Sequence, residues 1–295
     1  MILDSDAAQP LIFKPIELSQ MRTVEDIRKL SGNTLYVYSF ASLFAWQADE
    51  QYEICIDSDA FVVKNKAEGD SAYLFPCGSD EGKKRLVDSL IQHENPTFYT
   101  ISDEDKKFLE REYGGKFEFE ECRDEFSYLY DKDEQITLSG KAYKSLRHQI
   151  NLGKATATEW AIEPLTADNC SRALDINRRW ADLRKADDLA DVRAAETALE
   201  NFDALKMWGL IFNADGDDTA YIAGTFVTPE IFDIAFCKVL DGRCDCYIKW
   251  ELYNALPDEV KTVDSEEDLG IEGLRRHKLL RRPKELTRIW KGSII

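Results

Sequence analysis

The residues best placed to do chemistry are Glu266-Glu267-Asp268-Leu269-Gly270-Ile271-Glu272-Gly273-Leu274-Arg275, followed by Arg276-His277-Lys278. Three acids stand at a strand-to-helix junction, glycines follow within a few residues, and a basic helix comes next. Such a corner can bind a charged substrate or move a proton. Ser265-x-x-Asp268 also fits a capping box, with a serine N-cap and an acid at N3. That reading leaves Glu266, Glu267 and Gly270 without a task. A carboxylate here can deprotonate an attacking amine or hold a substrate ammonium group, and Glu267 is the first candidate, with Glu266 beside it. Arg275, Lys278 and Arg282 recur at helical spacing and form a stripe suited to a phosphate or carboxylate, while Ile271, Leu274 and Leu279 are expected to face the core. Lys144 and Arg147 lie three apart on an earlier helix and offer a second anion clamp. Other chemistries lack support: no Gly-x-Ser-x-Gly, Walker loop or GxGxxG occurs.

The elements that must position these residues fall into two stretches. The first runs over residues 1–131 and the second over residues 132–295, with a polar break at Asp131-Lys132-Asp133-Glu134. Each reads as helices, a three-strand meander, a helix, a strand, a helix and closing strands. In the second, strand 231–239, loop 240–245, helix 246–256, strand 260–263 and helix 269–280 follow a hairpin at 208–227, and residues 287–290 form a last strand. The pattern is α+β with mixed sheets, because hairpins precede the βαβ part. The Asn/Asp/Gly cluster at 213–218 is a turn.

A length of 295 residues with 44% hydrophobic content supports two globular cores. The net charge of −18 argues against broad binding to DNA or an anionic membrane. The charge is uneven: residues 275–291 carry eight bases and one acid, and residues 141–154 carry four bases and no acid. These patches keep tRNA open as a partner beside a small-molecule substrate. Residues 1–6 show neither a basic nor a long apolar region, so a cytoplasmic protein is expected. Seven cysteines are scattered, and Cys244-Asp245-Cys246 has no second pair at zinc spacing. The three histidines stand far apart in sequence, so no metal is expected.

The order of elements in the second stretch is similar to the acyltransferase fold called GNAT (acyl-CoA N-acyltransferase-like). More specifically, the chain resembles the phosphatidylglycerol lysyltransferase C-terminal-domain family over roughly residues 10–291. The resemblance rests on Glu266-Glu267-Asp268-Leu269-Gly270-Ile271-x-Gly273-Leu274-Arg275-x-x-Lys278 with Pro283 beyond. It rests also on Tyr128-x-Tyr130-Asp131, Leu138-Ser139-Gly140-Lys141-x-Tyr143, Arg147, Ile150-Asn151, Trp180, Glu196, Asn201-Phe202 and Gly209. The chain departs from the pattern at Asp264-Ser265, Leu280-Arg281, Leu146-Arg147-His148-Gln149, Gly153 and Cys237. The family has two GNAT-like domains in tandem and includes aminoacyl-tRNA-dependent transferases and soluble bacterial proteins with no assigned reaction. The resemblance implies a soluble acyl- or aminoacyl-transferase, with acyl-CoA or aminoacyl-tRNA as donor and an amine or hydroxyl as acceptor. It implies a site in the second domain, where Arg147, Lys144, Trp180, Glu196, Lys238, Arg243, Asp268, Gly270, Arg275 and Lys278 join Glu266 and Glu267. A GNAT scaffold kept only for binding a small molecule or a protein is the alternative. Trp180 is more a core residue than a stacking platform, and Glu196 is a surface charge or a buried acid paired with an arginine.

Overall fold

The computed structural model describes residues 10–184 and 189–295. The chain divides into two compact units. One runs to Arg123 and takes in Arg288–Ile295; the other is Asp124–Thr287.

The first unit contains β1 (Lys14–Pro15), α1 (Met21–Leu30), α2 (Phe40–Trp46), β2 (Tyr52–Asp57), β3 (Ala60–Asn65) and β4 (Ala72–Gly78). It continues with α3 (Asp80–His93), β5 (Thr97–Ile101), α4 (Asp103–Tyr113) and β6 (Phe117–Glu121). The C-terminal strand Trp290–Ile294 inserts between β5 and β6, completing a seven-stranded sheet. Serine caps set the helix starts: Ser79 Oγ accepts from Gly82 N at 3.0 Å and Ser102 Oγ from Asp105 N at 3.0 Å. Phe75, Phe98, Phe108 and Phe117 form an aromatic core under α3 and α4.

The second unit holds β7 (Ser127–Asp131), α5 (Lys132–Thr137), α6 (Lys144–Lys154), β8 (Trp160–Pro164), α7 (Cys170–Arg184) and α8 (Ala190–Glu200). Then come β9 (Trp208–Ala214), β10 (Asp217–Thr228), β11 (Ile231–Val239), α9 (Asp245–Ala255), β12 (Thr262–Asp264), α10 (Glu272–Leu280) and β13 (Glu285–Thr287). Its sheet runs β13-β7-β12-β11-β10-β9-β8. β8 to β11 form an antiparallel meander, and α9 carries the chain across to β12, which lies parallel to β11. Leu146, Ile150, Tyr247 and Leu252 of α6 and α9 pack on Ile222, Phe232, Val263 and Tyr130 of the sheet.

Both units are thus mixed sheets flanked by helices, as expected. The boundary differs from 131/132 because β7 pairs with β12, placing residues 124–131 in the second unit. The expected last strand at 287–290 is two strands, one ending at Thr287 and one starting at Trp290.

One irregularity of the second sheet positions the site. β11 pairs with β12 only at Ile231↔Thr262, Phe232↔Val263 and Asp233↔Asp264. Among the described residues, 234–239 have no strand partner on that side, so the parallel pair splits just past two aspartates. Carboxyl ends of parallel strands at such a split are where α/β sheets place ligands. A bulge between Ala223 and Thr225 brings β10 close to β11. A Cβ at Gly224 would stand 1.7 Å from Asp233 O. Gly224→Ala is therefore expected to cost about 3 kcal/mol by forcing the bulge open, read as a fall in the urea midpoint; an unchanged midpoint would show that the bulge relaxes freely.

Candidate active site

The acid corner begins where β12 ends. Ser265 N donates to Tyr128 O at 3.1 Å and Tyr128 N to Glu266 O at 3.1 Å, so the loop stays tied to β7. Glu266, Leu269 and Gly270 have φ of 56°, 52° and 71°. Three left-handed residues in five make a tight reversal, and at Gly270 a Cβ would also sit 2.7 Å from Asp124 Oδ2. The expected capping box does not form: α10 starts at Glu272 with Ile271 as its N-cap. Asp268 has a different partner. It is fully buried, and it takes Arg275 Nε at 2.9 Å and Nη2 at 2.7 Å in a bidentate pair. Gly270 N at 3.0 Å and the Tyr128 hydroxyl also donate to it. Burial pushes the Asp268 carboxyl up, but the Arg275 and Tyr128 hydrogen bonds outweigh it and hold the group below the usual range. Arg275 also donates to Asp124 at 2.6 Å. Asp268, Gly270 and Arg275 thus form a clasp that shapes the corner.

Inside the clasp, Asp233, Asp264, Glu266, Glu267 and Lys278 come together. Asp233 and Asp264 are buried neighbours across the parallel pair. Asp264 Oδ1 accepts from the Ser127 hydroxyl and from Glu266 N at 2.8 Å. Lys278 is buried, donates to Ser265 O and to Glu267 O at 2.5 Å, and lies 5.6 Å from the centre of the Tyr128 ring. Asp233 Oδ1 and Thr225 Oγ1, directly opposite each other on β11 and β10, are buried without hydrogen-bond partners. Four carboxyl groups lie around one ammonium, and the burial of Asp233 and Asp264 favours the protonated form of each. Burial, then the Asp264 and Glu267 charges, raise Asp233 well above the carboxylate range. Burial, then Asp233 and Glu267, do the same to Glu266. Burial brings Asp264 to about 6 against the pull of the Ser127 hydrogen bond. Burial lowers Lys278, with Glu266 and Glu267 resisting.

Among the residues expected from sequence, Glu266, Glu267 and Lys278 meet in this cluster and Asp268, Gly270 and Arg275 enclose it. The others lie elsewhere. Arg147 braces the loop before α6 by donating to Leu138 O and, at 2.8 Å, to Gly140 O, while Lys144 is exposed. Lys238 is buried on the α7 side of β11, paired with Asp191 and 4.2 Å from the centre of the half-buried Trp180 ring. Glu196 lies 3.8 Å from Arg178. Arg243 is held by Asp241 through Nε at 3.0 Å. The expected faces of α10 hold only in part: Arg282 is exposed and Leu274 half-buried, but Lys278 is buried, and Ile271 and Leu279 are 55% and 46% exposed.

Sequence reading missed Asp233 and Asp264. The signal was present, since each is the lone acid of its strand with apolar neighbours, and a charge there demands a partner or a task. It also set His277 aside. The fold brings His277 Nε2 within 2.7 Å of Asp245 Oδ2, and with Cys246 they offer three ligand-type atoms within 4.8 Å of one another. Lys249 Nζ lies 3.0 Å from the other Asp245 oxygen, and the buried Arg281 donates to Cys246 O at 3.3 Å.

The family profile "Phosphatidylglycerol lysyltransferase, C-terminal" matches residues 28–238. A conserved protein of unknown function from Bacteroides thetaiotaomicron VPI-5482 superposes with a TM-score of 0.88 at 26% identity, covering 97% of this chain and 100% of its own. L-PGS from Bacillus licheniformis superposes with a TM-score of 0.66 at 13% identity over 92% and 91%. FemX does so with 0.64 at 9% identity over 97% and 98%. No curated protein matches the chain. Among the described residues, no helix is long and apolar enough to cross a membrane. The acid corner lies beyond the residues the profile matches. On this profile and fold, the chain belongs to the phosphatidylglycerol lysyltransferase C-terminal family and is built as two tandem GNAT-like domains.

Proposed function

We propose that the chain is an acyl- or aminoacyl-transferase whose centre is the cluster of Asp233, Asp264, Glu266, Glu267 and Lys278. The observation that carries this reading is the convergence of four carboxyl groups on the split between β11 and β12. An amine acceptor is an ammonium ion at neutral pH, and it must lose a proton before it can attack. A carboxyl group near pH 6, such as Asp264, is suited to take that proton. Glu267, at the mouth of the same cluster, holds the ammonium beforehand or shares the base role. The freed amine nitrogen then bonds to the donor carbonyl carbon, the carbon–oxygen bond of the ester breaks, and the proton held by the carboxyl returns to the leaving oxygen.

The donor fits better as an ester than as a coenzyme A thioester. A coenzyme A diphosphate would use the loop before α9, where Asp241 already neutralises Arg243. An aminoacyl-tRNA ester meets no such demand, and the exposed Arg276, Arg282 and Lys284 of the second unit suit its phosphates. The second reading, a binding module without turnover, draws on the internal partners already held by Arg243, Arg275 and Lys278.

A panel of aminoacyl-tRNAs and acyl-CoAs, each offered amine and hydroxyl acceptors, tests the proposal. Transfer from an aminoacyl ester to an amine is expected, falling at least about 100-fold in Glu267→Gln and in Asp264→Asn. Wild-type rates in both variants would remove the cluster from the chemistry. Binding of an amine without turnover of any donor would establish the second reading.

A further inference from the structure

The second buried cluster, between α9 and α10, is used by neither the clasp nor the acid cluster. Arg281 is 3% exposed, its Nε has no hydrogen-bond partner, and Nη2 makes one long bond, 3.3 Å, to Cys246 O. Lys249 is 12% exposed at its side chain and lies 3.0 Å from Asp245. His277 Nε2 and Asp245 Oδ2 are 2.7 Å apart, yet neither finds a well-directed hydrogen bond. A guanidinium carries five donors, and burying its Nε without a partner is costly. Asp245 offsets one of the two fixed positive charges, leaving one over.

We infer that Arg281, Lys249 and His277 form a binding site for the carboxylate of a small molecule. Three features select that chemistry. A single negative charge completes the balance of Lys249 and Arg281 against Asp245. The free Nε edge of Arg281 suits the planar, two-oxygen face of a carboxylate. The side chains of His277, Lys249 and Asp245 keep 28%, 12% and 24% exposure, so the cluster reaches solvent although Arg281 does not. A divalent metal on Asp245, Cys246 and His277 fits less well, because Lys249 and Arg281 would put two more positive charges beside it.

Thermal shift and calorimetry on the whole protein at fixed ionic strength test this, with sodium acetate, glycine, methylamine, inorganic phosphate and zinc as probes. Acetate and glycine are expected to raise the melting temperature, and methylamine is not. In Arg281→Met the affinity for acetate should fall at least about 10-fold, while the protein without ligand melts no lower than wild type, since an under-partnered buried cation is replaced by an apolar chain of similar length. Lys249→Met provides a second, more exposed variant with the same expected direction. In Glu267→Gln the acetate response should persist, which separates this site from the acid cluster. No response to either carboxylate in the wild type, or an undiminished one in both Arg281→Met and Lys249→Met, would overturn the inference. A response to zinc alone that vanishes in Cys246→Ser would overturn it in favour of a metal centre.

Discussion

Asp264→Asn is expected to stabilise the protein at pH 8 by on the order of 2–3 kcal/mol while it abolishes transfer. Asn keeps an oxygen for the Ser127 hydroxyl and for Glu266 N, so the shape of the strand end survives. It removes a charge that the fold holds under protest. The sign follows from the two states: the carboxyl titrates near 3.8 when unfolded and at about 6 when folded. Below pH 3.8 both states are protonated and Asp264 contributes nothing. Between 3.8 and 6 the unfolded chain ionises first, so stability falls as pH rises. Above 6 both are ionised and the deficit stays constant. Urea unfolding of wild type and variant should therefore coincide near pH 3.5 and diverge to their full separation by pH 7. A variant less stable than wild type at pH 8 would show that the Asp264 charge is well compensated, and with that its suitability as a base would go. Stability gained with activity lost is the usual mark of a site held in a strained electrostatic state.

The parts of this molecule that were legible beforehand are those set by local pattern. Ser102, ahead of Asp103, Glu104 and Asp105, marks a helix start, because a hydroxyl before an acidic first turn caps it whatever the tertiary context. The β9–β10–β11 meander showed as apolar runs around the Asn213–Asp218 turn. The acid corner stood out because acids, glycines and bases seldom crowd one turn without a reason. Features decided by tertiary packing stayed hidden. Apolar periodicity misplaced Lys278 and Leu279 of α10, since it assumes that leucine goes in and lysine out. Here Lys278 finds two carbonyls of the corner, and Leu279 stays 46% exposed. Asp233 and Asp264 are far apart in sequence and meet only through the parallel register of β11 on β12. His277 and Asp245 meet only because α9 and α10 flank the same end of the sheet. Trp290, next to the second unit in sequence, pairs instead with Ile101 and Glu121 of the first.

Asp268→Asn is expected to act in the opposite direction, lowering stability at pH 8 by about 3 kcal/mol. The two aspartates stand four residues apart, and both are buried. They differ in what faces them. Asp268 has Arg275 in a bidentate pair, the Tyr128 hydroxyl and Gly270 N, so its charge is the form the fold selects. Asn keeps one acceptor oxygen, and its amide turns two donors towards the donors of Arg275. The sign is again fixed by the titration: with the folded carboxyl held below its unfolded 3.8, stabilisation is complete above about pH 4 and is lost as pH falls through the folded value. The wild-type advantage over Asp268→Asn should therefore be largest at neutral pH and shrink on acidification, the mirror image of Asp264→Asn. The damage should also spread. Without the clasp, the left-handed turn at Glu266, Leu269 and Gly270 loses its anchor, and Lys278 loses the carbonyls of Ser265 and Glu267 that hold its ammonium in place. Transfer should then fall through misplacement of Lys278 and Glu267 rather than through loss of a reacting group, so some activity should return at low temperature, where the corner refolds. An Asp268→Asn protein as stable as wild type at pH 8 would mean that Arg275 and Asp268 do not form the clasp, and that the acids of the corner are arranged by something else.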